Sequence, residues 1–152
     1  MTDRSGIICA GNWIVDLIHD LDRWPNESEL VRIGTQARGV GGGPANVITT
    51  LAKLETGLSL YPMGAIGEDE YGAFILKECR HLGLPTSGLI SKTDVATAHT
   101  HVMSVAGQSR TFFYQGGAND TLNINDFPEG TFKDTSARIF YLGYLTLLRD
   151  LD

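Results

Sequence analysis

The sequence predicts an α/β protein, a mainly parallel sheet covered by helices, with a small additional β-sheet that forms a lid. Two observations predict this fold. Short apolar runs alternate with helical stretches along the chain, which is typical of a parallel sheet with helical crossovers. Residues 30–37 and 98–114 instead alternate apolar and polar side chains, which favours an antiparallel sheet with one solvated face. The chain, at 152 residues, is long enough to bury one core.

The first half of the chain predicts three strands and a helix. Residues 6–10 form an apolar run typical of a buried strand, and residues 14–18 form a second run that Asp16 interrupts. Residues 30–37 are the first lid strand. A loop with four glycines among residues 39–43 follows. The apolar spacing from Pro44 to Leu54 then predicts a helix, and Gly57 ends it.

The second half continues the alternation. Residues 58–63 predict a strand and residues 64–67 a loop, before a helix over residues 70–82 that Asp69 or Glu68 would cap and Gly83 would end. Residues 98–114 predict a lid hairpin, residues 137–142 a last strand, and residues 145–151 the start of an amphipathic helix. Because the chain stops within that helix, we expect it to be part of a longer protein.

Composition excludes several functional classes. The formal net charge of -6, without a Lys/Arg run, argues against nucleic acid as a partner. Asn12 and Asp16 interrupt the apolar N-terminal stretch, so we expect neither a signal peptide nor a membrane span, and a cytoplasmic protein with no membrane partner. We expect Cys9 and Cys79 to be buried, free thiols in a reduced compartment.

The glycine run is the most prominent local motif. Gly41-Gly42-Gly43 precedes Pro44, and proline suits the first position of a helix. Glycines there let backbone N–H groups approach a ligand at the positive end of the helix, and Asn46 lies in its first turn. Equally, the glycines can serve only as a tight strand-to-helix turn. The run does not fit Gly-x-Gly-x-x-Gly, and without Gly-Lys-Ser/Thr it is not a P-loop.

Other polar residues are candidates with alternatives. Asp16 either faces solvent or binds a ligand, because an unpaired buried carboxylate is unfavourable. His99 and His101 share one face of a strand, where they would lie over a ligand; as a metal site they lack a third ligand. Tyr114 is either a core residue or part of the lid over the ligand. We identify neither a catalytic nucleophile nor a metal site.

Taken in order, these motifs resemble those of the PfkB/ribokinase family. The resemblance covers nearly the whole chain, and the combination is more specific than any one motif. The matching stretches are Gly11-Asn12-Trp13-Ile14-Val15-Asp16, Gly41-Gly42-Gly43-Pro44-Ala45-Asn46, Gly57, Gly64-Ala65-Ile66-Gly67-Glu68-Asp69-Glu70-Tyr71-Gly72, Thr97-Ala98 and Gly117-Ala118-Asn119.

The resemblance implies a ribokinase-like three-layer αβα core that is incomplete at its C-terminal end, with lid strands near residues 14–18, 30–38 and 97–115. It implies ATP-dependent phosphoryl transfer to a hydroxymethyl group of a sugar or nucleoside. It further implies that the lid makes a homodimer contact. By position, the implied substrate-binding residues are Asn12, Asp16, Gly42, Gly43 and Asn46, with the lid residues His99, His101 and Tyr114.

The sequence also departs from the family pattern. Gly43-Pro44 replaces the Lys-Gly of ribokinases proper, and Ala98 replaces a glycine. The family's second signature, an Asp-Thr-x-Gly-Ala-Gly-Asp type run with the catalytic base and an anion hole, does not occur here. We therefore expect the sugar-binding half of a kinase, with the ATP and Mg²⁺ sites in a missing half. A non-catalytic sugar-binding or dimerisation module and a nucleoside kinase are the alternatives. The glycine loop alone supports a dinucleotide site only remotely.

Overall fold

The computed structural model describes residues 4–127, 130–133 and 135–151. Within these residues, strands and helices alternate as a parallel α/β fold requires. In chain order the strands and α-helices are β1 (Gly6–Gly11), β2 (Ile14–Leu21), β3 (Ile33–Gly41), α1 (Gly43–Lys53), β4 (Leu60–Gly67), α2 (Glu70–His81), β5 (Leu89–Lys92), β6 (His99–Val105), β7 (Thr111–Gln115), α3 (Gly130–Lys133) and β8 (Ala137–Gly143). Short 3₁₀ turns occupy Gly117–Thr121, Ile124–Asp126 and Leu145–Leu147.

The strands form two four-stranded sheets. The main sheet has the order β5-β4-β1-β8, and all of its strands are parallel. The lid sheet has the order β3-β2-β6-β7. Its outer pairs, β2 with β3 and β6 with β7, are antiparallel, but its central pair of β2 and β6 is parallel. The expectation of a purely antiparallel lid is therefore wrong at its centre. Strands β2 and β6 both run outward from the core, and they meet at their inner ends, where Val15 N donates to Ala98 O at 3.0 Å.

Several element boundaries differ from the sequence predictions. Helices α1 and α2 are confirmed within a residue of each predicted end. Residues 64–67 continue β4 rather than forming a loop, because they pair with β5. The lid strand β3 extends through Gly41, since its glycines pair with β2. The predicted C-terminal helix is only the 3₁₀ turn Leu145–Leu147, and the short strand β5 was not predicted.

The largest core cluster lies between the main sheet and its helices. Trp13 is fully buried, and its indole Nε1 donates to Met63 O at 2.8 Å. Cys9 in β1 and Cys79 in α2 belong to the same cluster, and both are free thiols, as predicted. Burial raises the pKa of each thiol to about 11, so both stay protonated near neutral pH. Among the described residues, no helix is long and apolar enough to cross a membrane.

Asp69 connects α2 to the segment that leads into the lid. Its Oδ1 accepts from Gly72 N at 2.8 Å, which confirms the predicted N-cap, and from Thr97 Oγ1 at 2.6 Å. Its Oδ2 accepts from Thr97 N at 2.7 Å. Burial alone would raise the pKa of Asp69, but these hydrogen bonds together outweigh it and lower the pKa. The carboxylate therefore fixes the entry to β6 relative to the core.

Asp69→Ala should lower the free energy of unfolding by about 2 kcal/mol, because it removes an N-cap and leaves the backbone N–H of the buried Thr97 without its acceptor. For a domain of this size the melting temperature should fall by about 6 °C, measurable by thermal unfolding. Glu68→Ala changes the same charge at the exposed neighbouring position and should melt like the native protein. Equal melting of the two variants would contradict this role for Asp69.

Candidate functional site

Strand register divides the lid sheet into two faces. Paired residues on neighbouring strands point to the same side of a sheet, and successive residues alternate. Asp16 pairs with Gly39 of β3 and Thr100 of β6, and Thr100 pairs with Tyr114 of β7. Asp16, Thr100 and Tyr114 therefore share one face of the lid, which we call the Asp16 face.

Asp16 is the central polar group of that face. Its side chain is half-buried, and none of the hydrogen bonds or ion pairs among the described residues engages its carboxylate. A Cβ on Gly41 would collide with this carboxylate, so the glycine makes room for it beside the chain that enters α1. Burial raises the pKa of Asp16, while the positive charge of Arg110 opposes that rise. A partly desolvated carboxylate without a protein donor is suited to accept hydrogen bonds from a ligand.

The glycine run places the start of α1 next to Asp16. Gly42 has a φ of +98°, and a Cβ there would collide with the carbonyl oxygen of Asn12. Only glycine adopts this conformation without strain. Gly43 and Pro44 begin α1, and Asn46 lies exposed in its first turn. The run is thus a tight turn, as one sequence interpretation had it, and it also brings the positive end of a helix to the Asp16 side.

Two buried asparagines hold the surroundings in place. Asn12 is fully buried, and in the amide orientation that satisfies its neighbours Nδ2 donates to Gly143 O at 2.8 Å and to Tyr144 O at 3.1 Å. Asn119 Oδ1 accepts from Trp13 N at 3.3 Å, and its Nδ2 donates to Trp13 O at 3.2 Å. Asn12 therefore anchors the end of β8, and the ligand contact expected of it from the sequence stays a prediction.

The two lid histidines lie on the opposite face from Asp16. His99 pairs with Val15 and His101 with Leu17, so both point toward α2. The His99 ring lies 5.2 Å from that of Tyr71 on α2, and His101 Nδ1 lies 3.1 Å from His19 Nε2. The structure therefore does not bring them together with Asp16, and their expected place over a ligand stays a prediction. Among the described residues, no three His, Cys, Asp or Glu side chains are grouped to hold a metal ion.

Two tyrosines near the start of α1 were missed by sequence reasoning. The Tyr141 hydroxyl and the Tyr144 ring both lie beside Gly43, within 3.2 and 3.5 Å of where a Cβ on Gly43 would be. Tyr144 has a φ of +54°, a left-handed conformation that is uncommon for an aromatic residue. No motif pointed to them, because their proximity depends on the pairing of β8 with β1.

Comparison with known proteins places this arrangement in a family. Residues 4–147 match the sequence model described as pfkB family carbohydrate kinase. The chain belongs to the PfkB family. The resemblance inferred from its motifs is therefore confirmed.

Individual relatives agree with this assignment. The chain is 33% identical over 135 residues to a 5-dehydro-2-deoxygluconokinase of Listeria innocua, a match that covers 87% of this chain and 40% of the relative. It is 29% identical over 115 residues to a ribokinase of Bacillus subtilis, covering 74% of this chain and 38% of that protein. This PfkB segment thus spans about 40% of the length of these curated relatives.

Solved structures confirm the ribokinase-like fold. A ribokinase from Giardia lamblia superposes with a TM-score of 0.77 at 20% identity, covering 91% of this chain and 41% of that structure. A ribokinase of Arabidopsis thaliana complexed with ribose and ATP gives a TM-score of 0.75 at 24% identity, covering 91% of this chain and 45% of that structure. At these identities the likeness concerns the fold alone.

Proposed function

We propose that this chain is the sugar-binding part of an ATP-dependent sugar kinase that transfers a phosphoryl group to a hydroxymethyl group. The observation that carries the proposal is the Asp16 carboxylate next to the glycine turn that begins α1. It is half-buried and accepts no hydrogen bond from any residue that the structure describes. Membership of the PfkB family supplies the reaction type. Kinase names among the relatives support a carbohydrate acceptor.

In this proposal Asp16 accepts hydrogen bonds from two sugar hydroxyls. A carboxylate has lone pairs for both, and partial burial strengthens each bond. Gly42 and Gly43 bring the sugar close to the backbone at the start of α1, and the Asn46 amide both donates and accepts there. Tyr114 covers the sugar from β7. Exclusion of water by the lid favours transfer to the sugar over transfer to water.

The groups that bind ATP and Mg²⁺ are proposed to lie outside this chain. The sequence contains no Asp-Thr-x-Gly-Ala-Gly-Asp type run, and the residues that the structure describes group no three side chains suited to a metal ion. ATP and Mg²⁺ would supply the phosphoryl group and neutralise its charge in the whole enzyme. We expect neither to bind this chain well.

The lid is the proposed contact of a homodimer. Phe112 and Phe113 lie on β7 at the edge of the lid sheet and are 56% and 57% exposed. They point to opposite faces of the sheet, so the edge is apolar on both sides. Exposed aromatic residues on an open strand edge favour pairing with a second copy.

The proposed function is tested by titrating the chain with pentoses, hexoses, sugar acids and nucleosides, followed by an assay for ADP release with Mg²⁺-ATP. The chain alone should bind one class of ligand and release no ADP. A protein that contains this chain together with an Asp-Thr-x-Gly-Ala-Gly-Asp type run should phosphorylate that ligand. Binding without phosphorylation in such a protein would favour a non-catalytic binding module. A nucleoside as the only ligand would favour a nucleoside kinase.

A further inference from the structure

Arg110 extends onto the Asp16 face of the lid. Its guanidinium carbon lies 5.5 Å above the centre of the Phe112 ring. Phe112 pairs with Val102, which lies two residues from Thr100 on β6, so the ring shares the side of Asp16 and Tyr114. An arginine held over an aromatic ring keeps its planar donor groups free at the edges of the guanidinium. The side chain thus places a positive charge on the same face of the lid as Asp16.

That charge has no ion-pair partner in the part of the chain that the structure describes. Arg110 takes part in none of the ion pairs within 4.0 Å among the described residues, which are Arg23 with Glu29, Lys92 with Asp126 and Arg149 with Asp120. The positive charge of Arg110 lowers the pKa of Asp16 and so opposes the rise that burial causes. Of the other acidic residues on this face, Asp20 accepts a hydrogen bond from Thr35. The guanidinium therefore lies on the Asp16 face, over Phe112, and is available to an anion.

On the basis of the proposed function, we propose that the substrate is an anionic sugar and that Arg110 binds its carboxylate or phosphate. A neutral sugar would be bound by hydrogen bonds to Asp16, and an unpaired cation would add little to its affinity. An anionic sugar would be repelled by Asp16 unless a positive charge stood nearby. The guanidinium fork matches a carboxylate or a phosphate with two parallel hydrogen bonds.

The geometry also orients such a sugar. Asp16 lies near the inner end of β2, next to Gly41 and the start of α1. Arg110 comes from the turn between β6 and β7, at the outer end of the lid. The anionic group would therefore lie at the end of the sugar away from α1. The hydroxyls near Asp16 would lie at the other end.

The test is equilibrium titration of the chain with matched probes. Gluconate is compared with glucose, and fructose 1-phosphate and fructose 6-phosphate with fructose. The native protein should bind one anionic member at least tenfold more tightly than its neutral counterpart. Arg110→Gln should weaken that binding about 10- to 100-fold, and Arg110→Lys should restore part of it. Preference for gluconate or for a sugar phosphate identifies which anionic group the site takes.

Arg38→Gln is the matched control. Arg38 carries the same charge on the same lid but lies on the other face, 4.4 Å from the centre of the Phe74 ring on α2. Its replacement should leave affinity for the anionic sugar unchanged. Equal binding of neutral and anionic members, with no effect of Arg110→Gln, would overturn this inference and leave the proposed function standing. Failure of the native protein to bind any sugar or nucleoside would overturn the proposed function itself, and this inference with it.

Discussion

Replacing Asp16 with asparagine should weaken sugar binding by about 100-fold or more. Each hydrogen bond from a sugar hydroxyl to the carboxylate contributes about 1.5–3 kcal/mol, and 1.4 kcal/mol corresponds to a factor of ten in affinity.

Replacing Asp16 with asparagine should also slightly stabilise the fold near neutral pH. Burial raises the pKa of Asp16 above its unfolded value, so the folded state loses stability as the pH rises and Asp16 ionises. Asparagine removes that ionisation.

Calorimetric titration and thermal unfolding of the same samples measure both effects. Asp20→Asn is the matched control, because Asp20 lies on the same strand and face but is hydrogen-bonded to Thr35 toward the lid tip. It should bind sugar like the native protein. If Asp16→Asn binds sugar with native affinity, Asp16 is not the sugar-binding carboxylate.

Gly42→Ala should lower the free energy of unfolding by about 3 kcal/mol and abolish sugar binding. The backbone of Gly42 has a φ of +98°, and an added Cβ would collide with the carbonyl of Asn12. Strain of this kind is typically about 1–3 kcal/mol, and the collision with backbone adds to it. Because Gly42 precedes α1 directly, the start of the helix must shift relative to Asp16.

Gly39→Ala separates this strain from the general effect of losing a glycine. No atom lies within 4 Å of a Cβ on Gly39, and its φ is not in the left-handed region. The variant should melt at or slightly above the native temperature, since alanine restricts the unfolded chain more than glycine does. Thermal unfolding of both variants measures the difference. A Gly42→Ala protein as stable as Gly39→Ala would show that the turn adopts another conformation.

The elements with strong local signals could be predicted from the sequence. Helix α2 has a capping aspartate, an apolar face and a terminal glycine, and its bounds were predicted within one residue. Helix α1 was predicted from Pro44 and its apolar spacing. The short strand β5 was not, because four residues between turns carry too little pattern to distinguish a strand from a loop.

The site was only partly predictable, because it depends on which residues pair between neighbouring strands. A two-residue spacing shows that His99 and His101 share a face but not which face that is. The pairing of His99 with Val15, rather than with Asp16, directs both histidines toward α2. Asp16 and the glycine turn were identified because both follow directly from the local chain. Tyr141 and Arg110 reach the site through pairings distant in sequence.

The reaction of the two buried thiols can measure local unfolding of this protein. Cys9 lies at the centre of the main sheet, whereas Cys79 lies in a helix that packs on it, and both are at most 2% exposed. A reagent that reacts with thiolates can reach them only after the surrounding structure separates. Since this chain contains no other cysteine, the labelling rates of Cys9 and Cys79 would report the opening of the sheet and of α2 separately, without an introduced label.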